Sequence, residues 1–150
     1  MRVFSGIDDL KSAVGQHTGT SDWVTIEQKQ IDTFADATGD HQWIHVNAEK
    51  AESGPFGKTI AHGFLTLSLL PVFGAATYQV EGIKMGINYG LNKVRFTSPV
   101  PVGSRVRGSF ELLDVAEVTG GVQVTNKVTV EIEGSDRPAC VAESLLRYYL

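Results

Sequence analysis

Asp40-His41-Gln42-Trp43-Ile44-His45 places a carboxylate and an imidazole five residues apart, just beyond a helix expected to end at Thr38-Gly39. Seventeen residues after His45, His62-Gly63 opens a second, strongly apolar helical segment. Acid, base and a helix N-terminus are the parts needed to polarise a carbonyl and move protons beside it. Taken singly, an Asp after a helix-ending Gly reads as a turn residue, and a lone His as a partner for some backbone group. Their combination with His62-Gly63 reads as a site.

The elements that must position these groups follow from periodicity. Ile7 to Lys11 reads as a short helix ending near Gly15, and Trp23 to Ile26 as a short strand. Thr25 with Gln28 has the spacing of a capping box. Ile31, Phe34, Ala35 and Thr38 then fall on one helical face, stopped by Gly39. Asn47 can cap a turn through Ala51, and Gly54-Pro55-Phe56-Gly57 reads as a loop. From His62, the residues Phe64, Leu65, Leu67, Leu69, Leu70, Val72 and Phe73 leave no clear polar face. The expectation is a helix buried on most sides, kinked or interrupted by Pro71.

After Gly82 the period drops to two. Ile83, Met85, Ile87 and Tyr89 alternate with Lys84, Gly86 and Asn88, and Val94 and Phe96 alternate with Lys93, Arg95 and Thr97. A Pro99 to Gly103 turn leads to Val106, Gly108, Phe110 and Leu112 on one face. In the clearest strand, Val122, Val124, Asn126, Val128, Val130 and Ile132 oppose a polar set from Gln123 to Glu133. Cys140 to Leu150 reads as the last strand. The pattern predicts an α+β layer, an antiparallel sheet with one buried face covered by the helix from His62.

The chain has 150 residues, enough for one domain over 1–150 with a real core. Its apolar content of 42%, charged content of 20% and net charge of -4 describe a globular protein with no general surface for nucleic acid or anionic membrane. The single Cys140 excludes an internal disulfide and a Cys-based zinc cluster. Met1 to Ser5 has no apolar signal region, and the run from Phe64 to Tyr78 is short of the ~20 residues that span a bilayer. A cytoplasmic protein is the expectation. Gly-x-Ser-x-Gly, His-Glu-x-x-His and phosphate-loop patterns are absent from the sequence.

Several ordered segments together resemble the MaoC-like dehydratases, and most of all the (R)-specific enoyl-CoA hydratases among them. They are Phe34-Ala35-Asp36-Ala37-Thr38-Gly39-Asp40, Ile44-His45, Gly54-Pro55-Phe56-Gly57, Ile60-Ala61-His62-Gly63-Phe64-Leu65, Asn92-Lys93-Val94-Arg95-Phe96 and Pro101-Val102-Gly103. The resemblance spans roughly residues 20 to 150. It implies the hotdog fold, a long antiparallel sheet wrapped around a central helix, and a homodimer whose sheets join edge to edge. Asp40 and His45 match the family's catalytic pair, and Gly63 matches the glycine whose N–H binds the thioester carbonyl. Gln42-Trp43 stands where the family usually has Asn-Pro.

The reaction so implied is hydration of trans-2-enoyl-CoA to (3R)-3-hydroxyacyl-CoA, with no cofactor or metal. Water must be deprotonated for attack at the β carbon, a proton delivered to the α carbon, and the enolate oxygen stabilised. Asp40 would be the principal base, His45 its partner in orientation and proton delivery, and Gly63 the oxyanion donor. His62 would cap the helix or touch substrate. Ser68 would touch the thioester region of the substrate or bond back to its own helix. Asn88, Tyr89 and Gly90 are candidates for the acyl tunnel, and Trp43 for a pocket wall or dimer contact. Lys93, Arg95 and Lys58 are candidates for the phosphates of the acyl-CoA.

Other readings compete. Asp40, His41 and His45 could supply metal ligands, but Gly39 argues against a helix carrying both histidines on one face. Among enzymes, a dehydratase for acyl-carrier-protein thioesters would show a basic rim, and a thioesterase would release free thiol. A catalytically silent hotdog module would bind thioesters without turnover.

Overall fold

The computed structural model describes residues 1–150. The main sheet is antiparallel and has six strands: β2 (His17–Thr20), β3 (Val24–Thr25), β5 (Met85–Arg95), β6 (Arg105–Val118), β7 (Gly121–Ile132) and β8 (Cys140–Tyr149). Its order is β2-β6-β7-β8-β5, with β3 also on β6. The short strands β1 (Arg2–Phe4) and β4 (Tyr78–Val80) pair in parallel beside it.

The sheet is built where alternation is strongest. On β7, the residues Val122, Val124, Asn126, Val128 and Val130 are all buried, as period two requires. They meet Val106, Phe110 and Leu112 from β6 and Cys140 and Ala142 from β8. Gly120, at φ 82°, lets the chain turn tightly between β6 and β7. Burial pushes the Cys140 thiol up to about 11, so it behaves as a core residue.

Helix α1 (Ile7–Ser12) buries Leu10 over one end of the sheet, against Phe4, Tyr78, Leu112, Val122 and Val124. The central helix crosses the other core cluster in two pieces, α5 (Gly63–Ser68) and α6 (Leu70–Thr77). The break falls at Leu69, just before Pro71, which lacks the N–H that a continuous helix would use. Leu65, Leu70 and Phe73 point into the core.

The central helix is not buried on most sides, contrary to the expectation from its composition. Phe64 is 68% exposed and Val72 58%, and with Ser68 between them they form a stripe at i, i+4, i+8. One apolar face of β5 is also uncovered, with Met85, Ile87 and Tyr89 exposed, while a bulge between Asn88 and Gly90 turns Leu91 to the other face. β5 is the last strand of the sheet and pairs only with β8. Alternation shows that a strand has two faces, but not that something covers the apolar one. No helix is long and apolar enough to cross a membrane.

The remaining helices, α2 (Gln28–Thr38), α3 (Trp43–Val46) and α4 (Ala48–Glu52), form an excursion between β3 and α5. It carries the conspicuous acid and base. Asn47 caps α4 as expected, its Oδ1 accepting from Lys50 N at 3.0 Å. The capping box expected from Thr25 and Gln28 does not form: α2 has Glu27 at its N-cap and no side-chain cap bond.

Candidate active site

Gly39 ends α2 in the left-handed conformation, φ 82°, which glycine adopts without steric cost. That reversal presents Asp40. Its Oδ1 accepts from the Gln42 N–H at 3.3 Å, holding the turn that leads into α3. Trp43 then lays its ring against the backbone of Gly54, where an added Cβ would meet Trp43 Cζ3 at 3.0 Å. Lys50 Nζ sits 4.7 Å from the same ring centroid. Gln42-Trp43 thus makes a packed turn that carries His45 inward.

His45 is buried and held at both ends. Its Nδ1 lies 2.7 Å from the Ile60 carbonyl oxygen, which can only accept, so the proton is on Nδ1 and Nε2 keeps its lone pair. Its own carbonyl accepts from Gln28 Nε2 at 2.8 Å, and Gln28 Oε1 accepts from the buried Thr59 hydroxyl at 2.5 Å. Desolvation pulls the His45 pKa below 6.5; the bond to Ile60 and the charge of Asp40 oppose this, and His62 reinforces it. The neutral, proton-accepting imidazole is therefore favoured.

His62 completes the cluster. Its Nε2–H donates to the Asp40 carbonyl at 2.9 Å, while Nδ1 is buried without a partner. Its ring stacks on His45, centroids 3.8 Å apart and planes 22° apart, and leans on Phe34 at 4.9 Å. Asp40, His45 and His62 offer polar atoms that all lie within 4.8 Å of one another. Gly63 follows at the N-terminal end of α5, where the first helical N–H groups have no partner in the helix. A Cβ on Gly63 would lie 2.9 Å from the Phe96 ring.

Two nearly parallel imidazoles direct their in-plane lone pairs into different planes. Asp40, His45 and His62 are close enough to share an ion, but stacked rings are a poor arrangement for two imidazoles to face the same one. The trio Asp40, His41 and His45 is not assembled, because His41 turns outward to Asp36 at 2.9 Å. That contact raises the His41 pKa above 6.5. The arrangement suits a water held between a carboxylate and a neutral imidazole.

The other predicted residues divide. Ser68, Asn88, Tyr89 and Gly90 line one cavity of about 680 Å³ between the central helix, β5 and β8. Ser68 Oγ donates back to the Leu65 carbonyl at 2.7 Å. Lys93 and Arg95 are exposed on β5 and enter no ion pair, while Lys58 Nζ donates to the Val102 carbonyl at 3.2 Å. Sequence reading missed Gln28 and Thr59 as supports of His45, and Phe34 as support of His62. The motif from Ile60 to Gly63 pointed to the right loop, whereas Gln28 resembled a cap.

A family profile described as "MaoC like domain" matches residues 9–133. The chain belongs to the MaoC-like family. Among its relatives, 3-hydroxyacyl-thioester dehydratase Z of Mycobacterium tuberculosis (strain ATCC 25618 / H37Rv) is 60% identical over 149 residues, covering 99% of each chain. The solved structure of the monoamine oxidase regulatory protein from Archaeoglobus superposes with a TM-score of 0.78 at 25% identity, covering 99% of this chain and 97% of that one. R-Hydratase PhaJ1 from Pseudomonas aeruginosa shares the fold, with a TM-score of 0.70 at 24% identity over 91% of this chain and 81% of that one. This MaoC-like chain is therefore of the hydratase/dehydratase type, on a hotdog fold.

Proposed function

We propose that this protein reversibly hydrates trans-2-enoyl-CoA to (3R)-3-hydroxyacyl-CoA. The observation that carries the reading is His45. Its Nδ1–H is committed to Ile60 at 2.7 Å, which frees Nε2 as an acceptor, and a His45 ring nitrogen lies within 4.8 Å of an Asp40 carboxylate oxygen. Water donating to both would present an oxygen lone pair to the β carbon. As the new C–O bond forms, one water proton passes to the pair, with Asp40 the principal base. Electron density moves to the thioester oxygen, where the Gly63 N–H stabilises it. Collapse of the enolate takes a proton from the pair at the α carbon, and dehydration runs the same steps in reverse. A thioester substrate is supported by the dehydratase at 60% identity, named for 3-hydroxyacyl thioesters. The R configuration rests on the family resemblance.

The working unit we propose is a homodimer joined along β5. That strand ends the sheet with free backbone groups and exposed apolar side chains, and a second copy would satisfy both. Lys93 and Arg95 on the same strand are unpaired cations suited to the phosphates of coenzyme A.

Hydration of crotonyl-CoA, followed by loss of the conjugated thioester's ultraviolet absorbance, tests this reading. Asp40→Asn and His45→Gln should each remove most of the turnover while the fold is retained. Saturable binding without turnover of any enoyl-CoA would replace the reading with a silent module. Turnover confined to carrier-protein thioesters would replace it with a carrier dehydratase.

A further inference from the structure

The buried face of β7 carries one residue out of keeping with its neighbours. Val122, Val124, Val128 and Val130 are joined by Asn126, which is 0% exposed. An amide in such a place is costly unless its hydrogen bonds are made. Asn126 Nδ2 donates to the Tyr78 hydroxyl at 3.2 Å, and the Tyr148 hydroxyl approaches the same oxygen at 3.5 Å. Asn126 Oδ1 has no partner. Exchanging the amide oxygen and nitrogen would leave the other atom alone instead. Either tyrosine can donate in the hydroxyl–hydroxyl contact, so one hydroxyl proton of the pair remains to be donated. The cluster therefore holds a spare acceptor and a spare donor in a buried position.

Its two tyrosines, Tyr78 and Tyr148, line the wall of the 680 Å³ cavity, and Asn126 lies behind them. Ser144, opposite Asn126 in the β7–β8 register, lines it too. Much of the remaining wall is apolar, from Leu67, Leu70 and Pro71 on the helix to Leu91 and Leu146 on the sheet. The cavity begins at Leu67 and Ser68, roughly one helical turn from Gly63. Tyr78 follows the end of α6, at most about 22 Å of helix from Gly63. A chain whose thioester sits at Gly63 would cross the apolar stretch first and meet the hydroxyls with its far end.

We propose that this cavity selects long acyl chains bearing a hydroxyl at or near the end distal to the thioester. A hydroxyl both donates and accepts, matching the open hydroxyl proton and the lone pairs of the two tyrosines at the cavity wall; a methyl group does neither. A site with buried polar groups discriminates strongly against the analogue that leaves them unpaired. The inference rests on the acyl-thioester reading above and adds the class of acyl chain.

Binding of saturated acyl-CoAs, which have no double bond to hydrate, tests it by calorimetry. Decanoyl-, dodecanoyl- and tetradecanoyl-CoA are each compared with the ω-hydroxy counterpart. Transfer from water alone disfavours the hydroxyl, so a preference for it requires a partner in the protein. The expected result is ω-hydroxy binding about fivefold tighter at one or more lengths. Tyr148→Phe and Tyr78→Phe, checked for folding by urea unfolding, should abolish that preference. Equal or weaker ω-hydroxy binding at every length, as for a cluster solvated by water alone, overturns the proposal. So does a preference that survives in both variants. Crotonyl-CoA hydration by the same wild-type preparation separates the two ideas. Turnover without ω-hydroxy preference sinks only the chain class; ω-hydroxy preference with no turnover of crotonyl-CoA or of any longer enoyl-CoA sinks only the hydratase.

Discussion

Gln28 gives the sharpest test of how His45 is held. Its amide makes three bonds: Nε2 to the His45 carbonyl at 2.8 Å, Nε2 to Asp32 Oδ1 at 2.9 Å, and Oε1 from the Thr59 hydroxyl at 2.5 Å. In Gln28→Ala, water replaces the amide at exposed Asp32 at little cost. The Thr59 hydroxyl, 1% exposed, loses its acceptor. A buried donor so stranded costs about 1–3 kcal/mol, and the lost bond to the His45 carbonyl about 1 kcal/mol more. The expected destabilisation is about 2–4 kcal/mol, read from urea unfolding. Thr59→Val breaks the same inner bond, so the double variant should fall short of the sum by about 1 kcal/mol or more. Thr25→Ala should change stability by less than ~0.5 kcal/mol, because the Thr25 side chain makes no cap bond. An additive double variant would refute the argument. So would a Gln28→Ala cost under ~1 kcal/mol together with a sizeable Thr25→Ala cost, the pattern of a simple helix cap.

Three further outcomes follow from the same geometry. Gly63→Ala should unfold at nearly the wild-type midpoint, because the Phe96 ring it crowds is 44% exposed and can swing aside. Its kcat/KM should still fall about a hundredfold through misplacement of the thioester; an unchanged kcat/KM would remove Gly63 from the site. Because the folded pKa of His45 lies below 6.5, the unfolded chain takes up its proton first, and this group lowers stability as pH falls below 6.5. If the neutral form is the active one, the acid limb of kcat/KM has its midpoint below pH 6.5, and a midpoint above 6.5 contradicts that reading. Ile87→Lys places like charges along an edge shared by two copies, so sedimentation should show dimer giving way to monomer; a monomeric wild type would end the β5 proposal.

Much of the scaffold was legible from local pattern. Alternation from Val122 to Val130 marks a half-buried strand because the pleat turns every second side chain to the core. Gly39 marks the end of α2 because only a residue without Cβ adopts that reversal cheaply. Asp40, His45 and Gly63 stood out as candidates because a carboxylate, an imidazole and a helix-opening glycine have few common purposes in that order. Tertiary structure decided what those groups experience. The bond from His62 to the Asp40 carbonyl spans 22 residues, and the one from Thr59 to Gln28 spans 31. Such contacts depend on how separate elements dock, which no local period encodes. Likewise, the sequence by itself determined that Ile87 and Tyr89 share an apolar phase and that Asn126 sits in a buried one. Only the assembled sheet left the first uncovered on its last strand and set the second behind a cavity, because burial belongs to the packing of neighbours and not to the strand alone.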